Sequence, residues 1–172
     1  MKRNIALCII SVLVSPLLNC ATGIRSAMYE YMATKEIKAA QPLGESIYVD
    51  FVEGADKNNL LTNIEITKAL RSSLLGGKFF KELNAKEGDD FDLKTNIIKI
   101  DNPGFGAAFI ISSEIKYSLY RKRTLVKEFT VIQKGEASAS EEFVGFKRLV
   151  LAYERSIQNN IKDFLKELNR MN

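Results

Sequence analysis

The sequence predicts an α+β fold: an antiparallel or mixed sheet of about four strands, with two helices packed on one face, in the order β-α-β-β-β-α. Two observations lead to this prediction. Apolar residues alternate with polar ones in four separate segments, which is the period of a half-buried strand. Two other segments, one after the first strand and one after the last, repeat apolar residues every three or four positions, as amphipathic helices do.

The strand patterns occur at residues 46–54, 89–101, 105–119 and 124–137. In each, one face is expected to lie on the core, because successive side chains of a strand point to opposite faces. The second pattern shifts its parity at Ile98, which indicates either a β-bulge or a stretch covered on both faces. A turn, "YRKRT", joins the last two strands into an antiparallel hairpin. The third strand has the clearest apolar face, made of Phe105, Ala107, Phe109, Ile111, Ile115, Tyr117 and Leu119.

Two helices complete the predicted fold. The first covers residues 62–77, where Thr62 and Glu65 have the spacing of a capping box. Three large apolar residues after it are expected in the core: Phe79, Phe80 and Leu83. The second helix is long and closes the chain, with Ser138 or Ser140 as its expected N-cap. Its apolar stripe consists of Phe143, Phe146, Val150, Tyr153, Ile157, Ile161, Phe164 and Leu168.

The composition argues against several classes of function. The 172 residues include no His and only two Cys, which removes the commonest general base and the commonest zinc ligand. The formal charge is +4, but Lys2 and Arg3 belong to an N-terminal segment, and without them 23 basic residues face 21 acidic ones. A balance so close to neutral gives no general argument for nucleic-acid binding.

No segment carries a recognised catalytic or metal-binding motif. The acidic stretch "EGDDFD", residues 87–92, lacks the register of an EF-hand loop and is interpreted as a solvated turn. Without His, nucleophilic catalysis would need a Ser-Lys dyad, and neither Ser72-Ser73 nor Ser112-Ser113 lies in a recognised nucleophile motif. We therefore predict a protein that is not an enzyme and that has no metal and no cofactor. An extracytoplasmic enzyme that uses carboxylates is the remaining catalytic alternative.

The first twenty residues have the parts of a secretory signal peptide. Lys2 and Arg3 form a charged start, an apolar run covers residues 5–14, and Ser15-Pro16 interrupts it. The apolar run is too short to cross a bilayer, because a transmembrane helix needs roughly 20 apolar residues. The segment ends in "LLNC", residues 17–20, which resembles the lipobox of bacterial lipoproteins.

The lipobox resemblance implies that Cys20 is a lipid acceptor. Its sulfur would carry diacylglycerol, the chain would be cleaved between Asn19 and Cys20, and the new amino terminus would be acylated, as with palmitate. Asn19 departs from the usual lipobox, which has Gly, Ala or Ser there. Loss of residues 1–19 would also remove Cys8, so no internal disulfide could form. An uncleaved anchor and a signal peptide cut elsewhere are the other interpretations.

These features divide the chain into three parts. Residues 1–19 are a lipoprotein signal peptide, residues 20–45 an acylated N-terminus and tether, and residues 46–172 a single α+β domain. Residue 21 is Ala rather than Asp, which by resemblance to lipoprotein sorting in enteric bacteria favours the outer membrane. We expect a protein that is attached there by its lipid and faces the periplasm.

A basic segment around the hairpin turn is the one predicted contact with lipid headgroups. Five cations in it could meet the phosphates of anionic lipids or of lipopolysaccharide. The simpler interpretation is a solvated turn whose charges discourage edge-to-edge aggregation of the sheet. The five residues are Lys116, Arg121, Lys122, Arg123 and Lys127.

The combined pattern resembles small Gram-negative envelope lipoproteins. A lipobox, "IYVDF", "GKFF", "DFDLKTNI", a hairpin and a long closing helix are similar to the auxiliary lipoproteins of ABC-type lipid transport systems and to the lipopolysaccharide-assembly lipoprotein. The most specific residues are in the last helix: Phe143, Gly145, Arg148, Ala152, Glu154, Asn160, Ile161, Phe164, Leu165 and Leu168.

This resemblance implies a non-enzymatic accessory or docking subunit in outer-membrane assembly or lipid transport. Its partner would be an envelope protein, and the resemblance carries over no catalytic residue. The alternative is a periplasmic carrier of lipid or lipopolysaccharide, which should enclose an apolar cavity between the sheet and the long helix.

Overall fold

The computed structural model describes residues 28–54, 63–84, 86–88, 90–101 and 108–171. The elements are α1 (Met28–Met32), β1 (Gly44–Val49), α2 (Asn63–Gly76), β2 (Phe80–Leu83), β3 (Phe91–Asp101), β4 (Ala108–Arg121), β5 (Thr124–Ser138) and α3 (Gly145–Asn169). The strands form one sheet in the order β2-β1-β3-β4-β5. The α+β class and the mixed sheet are confirmed, but the sheet has five strands where the sequence indicated about four, and the described residues form three helices where it indicated two.

The additional strand is β2. It pairs in parallel with β1, so that Gly44 lies opposite Phe80 and Ile47 opposite Leu83. A strand of four residues is too short to show an alternating pattern, and its partner is distant in the chain, so no local signal reveals it. Phe79 and Phe80 are buried in the core, as predicted, and Leu83 is partly buried.

The alternation predicted for the first strand stops after β1. Ile47 and Val49 are buried, but Phe51 is half exposed and Val52 is buried in its place. The N–H of Val52 donates a hydrogen bond to Oγ1 of Thr67 in α2, at 3.0 Å. This bond draws the backbone towards the helix, and the parity of the strand is lost. The prediction that Phe51 faces the core was wrong.

The long strands β3, β4 and β5 form an antiparallel meander. The pairing of β3 with β4 shifts register between Ile97 and Lys99, which makes Ile98 the extra residue of a bulge. Of the two interpretations of the parity shift, the bulge is therefore the one that the structure shows. Phe105 and Ala107, predicted for the start of the third strand, lie outside the described residues.

α1, α2 and α3 lie on one face of the sheet and share a single core with inward-facing residues of all five strands. α2 runs antiparallel to β1: its Arg71 donates to the carbonyl oxygen of Val49, while Thr67, one turn earlier, accepts from Val52. No helix within the described ranges is both long enough and apolar enough to span a bilayer.

α3 runs antiparallel to β5. Asn159 donates to the carbonyl oxygen of Lys134, and Arg155, one turn earlier in the helix, donates to that of Glu136. Because β1, β3 and β5 point in the same direction, α2 and α3 begin at the same end of the domain. We call this the helix-start end. The opposite end, where β4 turns into β5, is the hairpin end.

α3 begins later than the sequence indicates. Its N-cap is Val144, whose side chain makes no capping hydrogen bond, and the helix starts at Gly145. Ser138 and Ser140, the predicted caps, hydrogen-bond to each other at 2.8 Å. Ser138 also donates its N–H and its hydroxyl to the carboxylate of Glu141. These serines stabilise the turn after β5 instead of the helix, so the capping prediction was wrong.

The apolar stripe of α3 is buried only from Val150 onwards. From there to Leu168 the predicted residues are buried, and all but Val150 belong to the hydrophobic core. Phe143 and Phe146, predicted as the first members of the stripe, are largely exposed. The physical reason is that β5 ends at Ser138, so the first turn of the helix lies beyond the last described strand residue on which it could pack.

Part of the segment predicted as a tether packs against the domain. Met32 is fully buried, the N–H of Thr34 donates to Oγ of Ser73 at 2.9 Å, and the N–H of Ala39 donates to the carbonyl oxygen of Gly77 at 2.8 Å. The packed chain therefore begins no later than α1, ahead of the boundary that the sequence indicated.

Candidate functional site

The residues predicted for lipid attachment and cleavage, Cys20 and Asn19, lie outside the described residues, and so does Thr62 of the predicted capping box. The described chain begins at Met28, eight residues after Cys20. What the structure adds about the anchor is therefore the position in the fold of Met28, the first described residue.

The hairpin end brings together three of the five cations predicted to contact lipid. Arg121 is the last residue of β4, and Lys122 and Arg123 form the two-residue turn itself. Lys122 has φ 48° and Arg123 has φ 67°. Positive φ at both central positions is the conformation of a type I′ turn, in which Asn-Gly is the usual pair. Two side chains with a Cβ are therefore held in an unfavourable backbone conformation.

The other two predicted cations are separate from that cluster. Lys116 lies five residues before Arg121 in β4 and pairs with Glu128 across the sheet at 2.8 Å. Lys127 is exposed on β5 opposite Leu119. Arg121 itself has an acidic neighbour, because its Nε lies 3.5 Å from Oδ1 of Asp90. The five residues thus form a three-residue tip and two outlying positions rather than one continuous basic patch.

The acidic stretch beside the tip forms ion pairs and a local turn. In the part of the chain that the structure describes, no three His, Cys, Asp or Glu side chains are close enough to hold a metal ion. Asp89 is outside the described residues. The other carboxylates have separate partners: Glu87 with Lys94, Asp90 with Arg121, and Asp92 with the N–H of Gly88.

An open cleft of about 330 Å³ lies on the face of the sheet away from the helices. It carries charges of both signs, two lysines and two carboxylates, and its character is polar. The residues that line it are Asp50, Phe51, Glu53, Lys94, Thr95, Asn96, Lys116 and Ser118.

The electrostatics of this cleft are those of paired surface charges. A hydrogen bond from Lys94 lowers the pKa of Glu87, and the same bond raises the pKa of Lys94. The carboxylate-enzyme alternative requires two Asp or Glu side chains in one cleft, and Asp50 and Glu53 both line this one.

The interface between the sheet and α3 is filled by side chains. Tyr117 stacks on Phe164 with ring centroids 4.0 Å apart, and its hydroxyl donates to Oδ1 of Asn160 at 2.8 Å. Nδ2 of Asn160 donates in turn to the carbonyl oxygens of Ser113 and Val131. Burial raises the pKa of Tyr117, so its hydroxyl stays protonated. Among the described residues, these side chains therefore fill a part of the interface in which the lipid-carrier alternative would require an apolar cavity.

Sequence reasoning missed one surface, which we call the α3-start surface. It consists of Phe143, Val144 and Phe146, whose exposed fractions are 89%, 49% and 55%. The available signal was the spacing of the apolar stripe: these residues continue it past the point where a strand can cover the helix. A stripe longer than its sheet has to leave apolar side chains uncovered.

No protein family and no curated protein matches this chain in sequence. Solved structures do share its fold. A protein of the DUF330 family from Xanthomonas campestris superposes with a TM-score of 0.57 at 8% identity, covering 75% of this chain and 88% of that chain. A minor lipoprotein from Acinetobacter baumannii superposes with a TM-score of 0.52 at 7% identity, covering 74% and 94%. At such low identity the likeness is one of fold, and this chain has the fold of a solved bacterial lipoprotein.

Proposed function

We propose that this protein is a Gram-negative envelope lipoprotein, attached to the outer membrane through Cys20 and facing the periplasm. Its α+β domain would serve as a non-enzymatic accessory or docking subunit in outer-membrane assembly or lipid transport. The observation that carries the proposal is "LLNC", at the end of a signal-peptide pattern. A fold shared with a solved lipoprotein supports it.

Metabolic labelling with palmitate in a Gram-negative host tests the anchor. The full-length chain should take up label, and Cys20→Ala should abolish it, because the thioether and the new amino terminus both require this residue. Cys8→Ala is the matched control, since Cys8 is the only other cysteine and is removed with the signal peptide on this proposal. Labelling that persists in Cys20→Ala, or that disappears in Cys8→Ala alone, would rule out attachment at Cys20.

A docking role needs a surface for a partner protein, and the mixed-charge cleft is the surface that supports it. Charged groups of both signs on a protein surface give orientation and specificity to an encounter. Lys116 and Asp50 line this cleft, and Thr130 lies beside Lys116 on the neighbouring strand.

Photo-crosslinking in intact cells tests this docking surface. A photoreactive residue at Thr130 should give a discrete crosslinked product, whereas one at the exposed Lys166 on α3 should not. The opposite pattern, or equal products from both positions, would show that the outer sheet face is not the docking surface.

The carrier and enzyme alternatives have less support. The carrier needs an apolar cavity, and the described contacts between sheet and α3 are closely packed. Native mass spectrometry of the detergent-free domain, residues 21–172, distinguishes this alternative, because a carrier purified from cells should retain lipid. The carboxylate alternative predicts hydrolytic activity that is lost in Asp50→Asn.

A further inference from the structure

The start of α3 has a composition unusual for a helix end in water. Phe143, Val144 and Phe146 are exposed together, whereas a contiguous apolar group on a soluble domain usually marks an interaction surface. The first turn from Gly145 contains no acidic residue, and Glu142, just before the helix, accepts a hydrogen bond from the N–H of Val144 at 3.0 Å. Lys147, which follows Phe146, is exposed as well. Aromatic residues beside a lysine are typical of surfaces that lie in a membrane interface.

The chain enters the described domain at this same end. The N–H of Tyr29 donates to Glu65 in the first turn of α2, at 3.4 Å. Thr34 then bonds to Ser73, near the end of α2. The backbone therefore runs alongside α2 from its start towards its end, so Met28 lies at the helix-start end. α3 also begins at that end.

The length of chain before Met28 limits how far the domain can lie from its lipid. Seven residues lie between Cys20 and Met28, which makes eight steps along the chain, and at about 3.5 Å per step a fully extended chain reaches about 28 Å. β4 has 14 residues, which at about 3.3 Å each span about 45 Å between the two ends of the domain. The reach is shorter than the domain, so a domain that stands upright on the bilayer must have its helix-start end, and not its hairpin end, towards the lipid.

We propose that the α3-start surface, formed by Phe143, Val144 and Phe146, rests on the lipid bilayer to which the chain itself is attached. The proposal depends on the lipid anchor at Cys20 proposed above. In this arrangement the apolar side chains enter the interface, while Lys147 reaches the anionic headgroups. The basic tip at Lys122 and Arg123 faces away from that membrane, into the periplasmic space.

Tryptophan fluorescence tests this orientation, because the chain has no tryptophan of its own. Phe146→Trp places a single probe in the α3-start surface. Leu125→Trp is the matched control, since Leu125 is also apolar and half exposed but lies beside the hairpin turn. Both full-length variants are purified in their acylated form and reconstituted in vesicles of phosphatidylethanolamine and phosphatidylglycerol. Part of the vesicle preparation contains brominated lipid, which quenches tryptophan on contact.

The expected result is a blue shift and a loss of emission for Phe146→Trp on brominated vesicles, with neither change for Leu125→Trp. Quenching of both probes, of neither, or of Leu125→Trp alone would overturn the proposed orientation. A blue shift of Phe146→Trp without quenching, in a sample whose mass rises with concentration, would mean that a second copy covers the surface, and would overturn the proposal too.

The mass of each purified protein separates this inference from the anchor. If Cys20 is acylated and Phe146→Trp is not quenched, the α3-start surface does not contact the bilayer, and the proposed anchor still stands. If Cys20 carries no acyl group, both the anchor and the membrane contact of the α3-start surface are rejected, because the short segment between Cys20 and Met28 then no longer limits the distance of the domain from the bilayer.

Discussion

The hydroxyl of Tyr117 donates a hydrogen bond to Oδ1 of Asn160 at 2.8 Å, and both side chains are completely buried between β4 and α3. Asn160 donates through Nδ2 to the carbonyl oxygens of Val131 and Ser113, at 2.9 and 3.1 Å. One amide thus holds α3 to two neighbouring strands. The helix cannot slide along the sheet without leaving buried polar groups unpaired, and such groups are costly.

Replacing this amide should destabilise the domain strongly. Asn160→Ala leaves the hydroxyl of Tyr117 without its acceptor and removes the donor from two carbonyls, so we expect a loss of about 3 kcal/mol in the free energy of unfolding. Urea denaturation measures it. Asn159→Ala is the control, because Asn159 makes one exposed bond to Lys134 and should cost less than about 1 kcal/mol. Equal losses for both variants would contradict the central role of Asn160.

The close approach of β5 to α3 requires glycine at residue 135. A Cβ there would overlap the carbonyl oxygen of Ala152 and the backbone N of Ser156. Gly135→Ala should therefore cost about 3 kcal/mol, because backbone on both sides has to move. At Gly145 a Cβ meets nothing nearer than Arg148, at 3.9 Å, so Gly145→Ala should stabilise by about 0.5 kcal/mol. Thermal and urea unfolding should show a lower midpoint for Gly135→Ala and a higher midpoint for Gly145→Ala, and shifts in the same direction would contradict this prediction.

The hairpin turn carries backbone strain that substitution can relieve. Lys122 and Arg123 both have positive φ, and changing them to Asn and Gly should raise the free energy of unfolding by about 1 kcal/mol. Changing both to Gln removes the same two charges but keeps side chains in the strained conformation, so it should give no such gain. A similar increase in the free energy of unfolding for both double variants would mean that charge repulsion, and not backbone conformation, destabilises the turn.

Glu141 should give stability that depends on pH in the acid range. The hydrogen bond from Arg155 and those from Ser138 lower its pKa from the ordinary 4.5 to about 2. Because the folded pKa is the lower one, this contribution is complete above pH 4.5 and is lost as pH falls towards 2. NMR titration of the Glu141 carboxyl gives the midpoint directly. Arg155→Gln should raise that midpoint towards 4.5, and a midpoint that stays near 2 would exclude Arg155 as the main cause.

Local patterns were sufficient for most of the architecture. Alternation identified β3, β4 and β5 as strands and gave the buried faces of β3 and β4, and the shift of parity at Ile98 left a bulge as one of two interpretations. These features follow from side-chain direction, which repeats every two residues in a strand and needs no knowledge of the partner. The stripe from Val150 to Leu168 identified the buried face of α3 in the same way.

For the candidate sites, too, local signals could be predicted from the sequence, whereas contacts between strands could not. The "LLNC" segment is a local signal, and the prediction of lipid attachment at Cys20 comes from sequence alone. The basic segment was also visible, but sequence could not show that Arg121, Lys122 and Arg123 form the tip while Lys116 pairs with Glu128. Ion pairs across strands depend on register, which is set by the whole sheet.

The sequence by itself determined the α+β class, the hairpin, the long closing helix and the expectation of an anchor at Cys20. Only the tertiary structure decided that Phe80 begins a fifth strand, that Phe51 faces solvent, and that Phe143 and Phe146 extend past the sheet. The reason is physical: a pattern of apolar residues shows which side chains are more stable when they are buried. Whether they are in fact buried depends on where a distant strand ends, and that is a property of the assembled sheet.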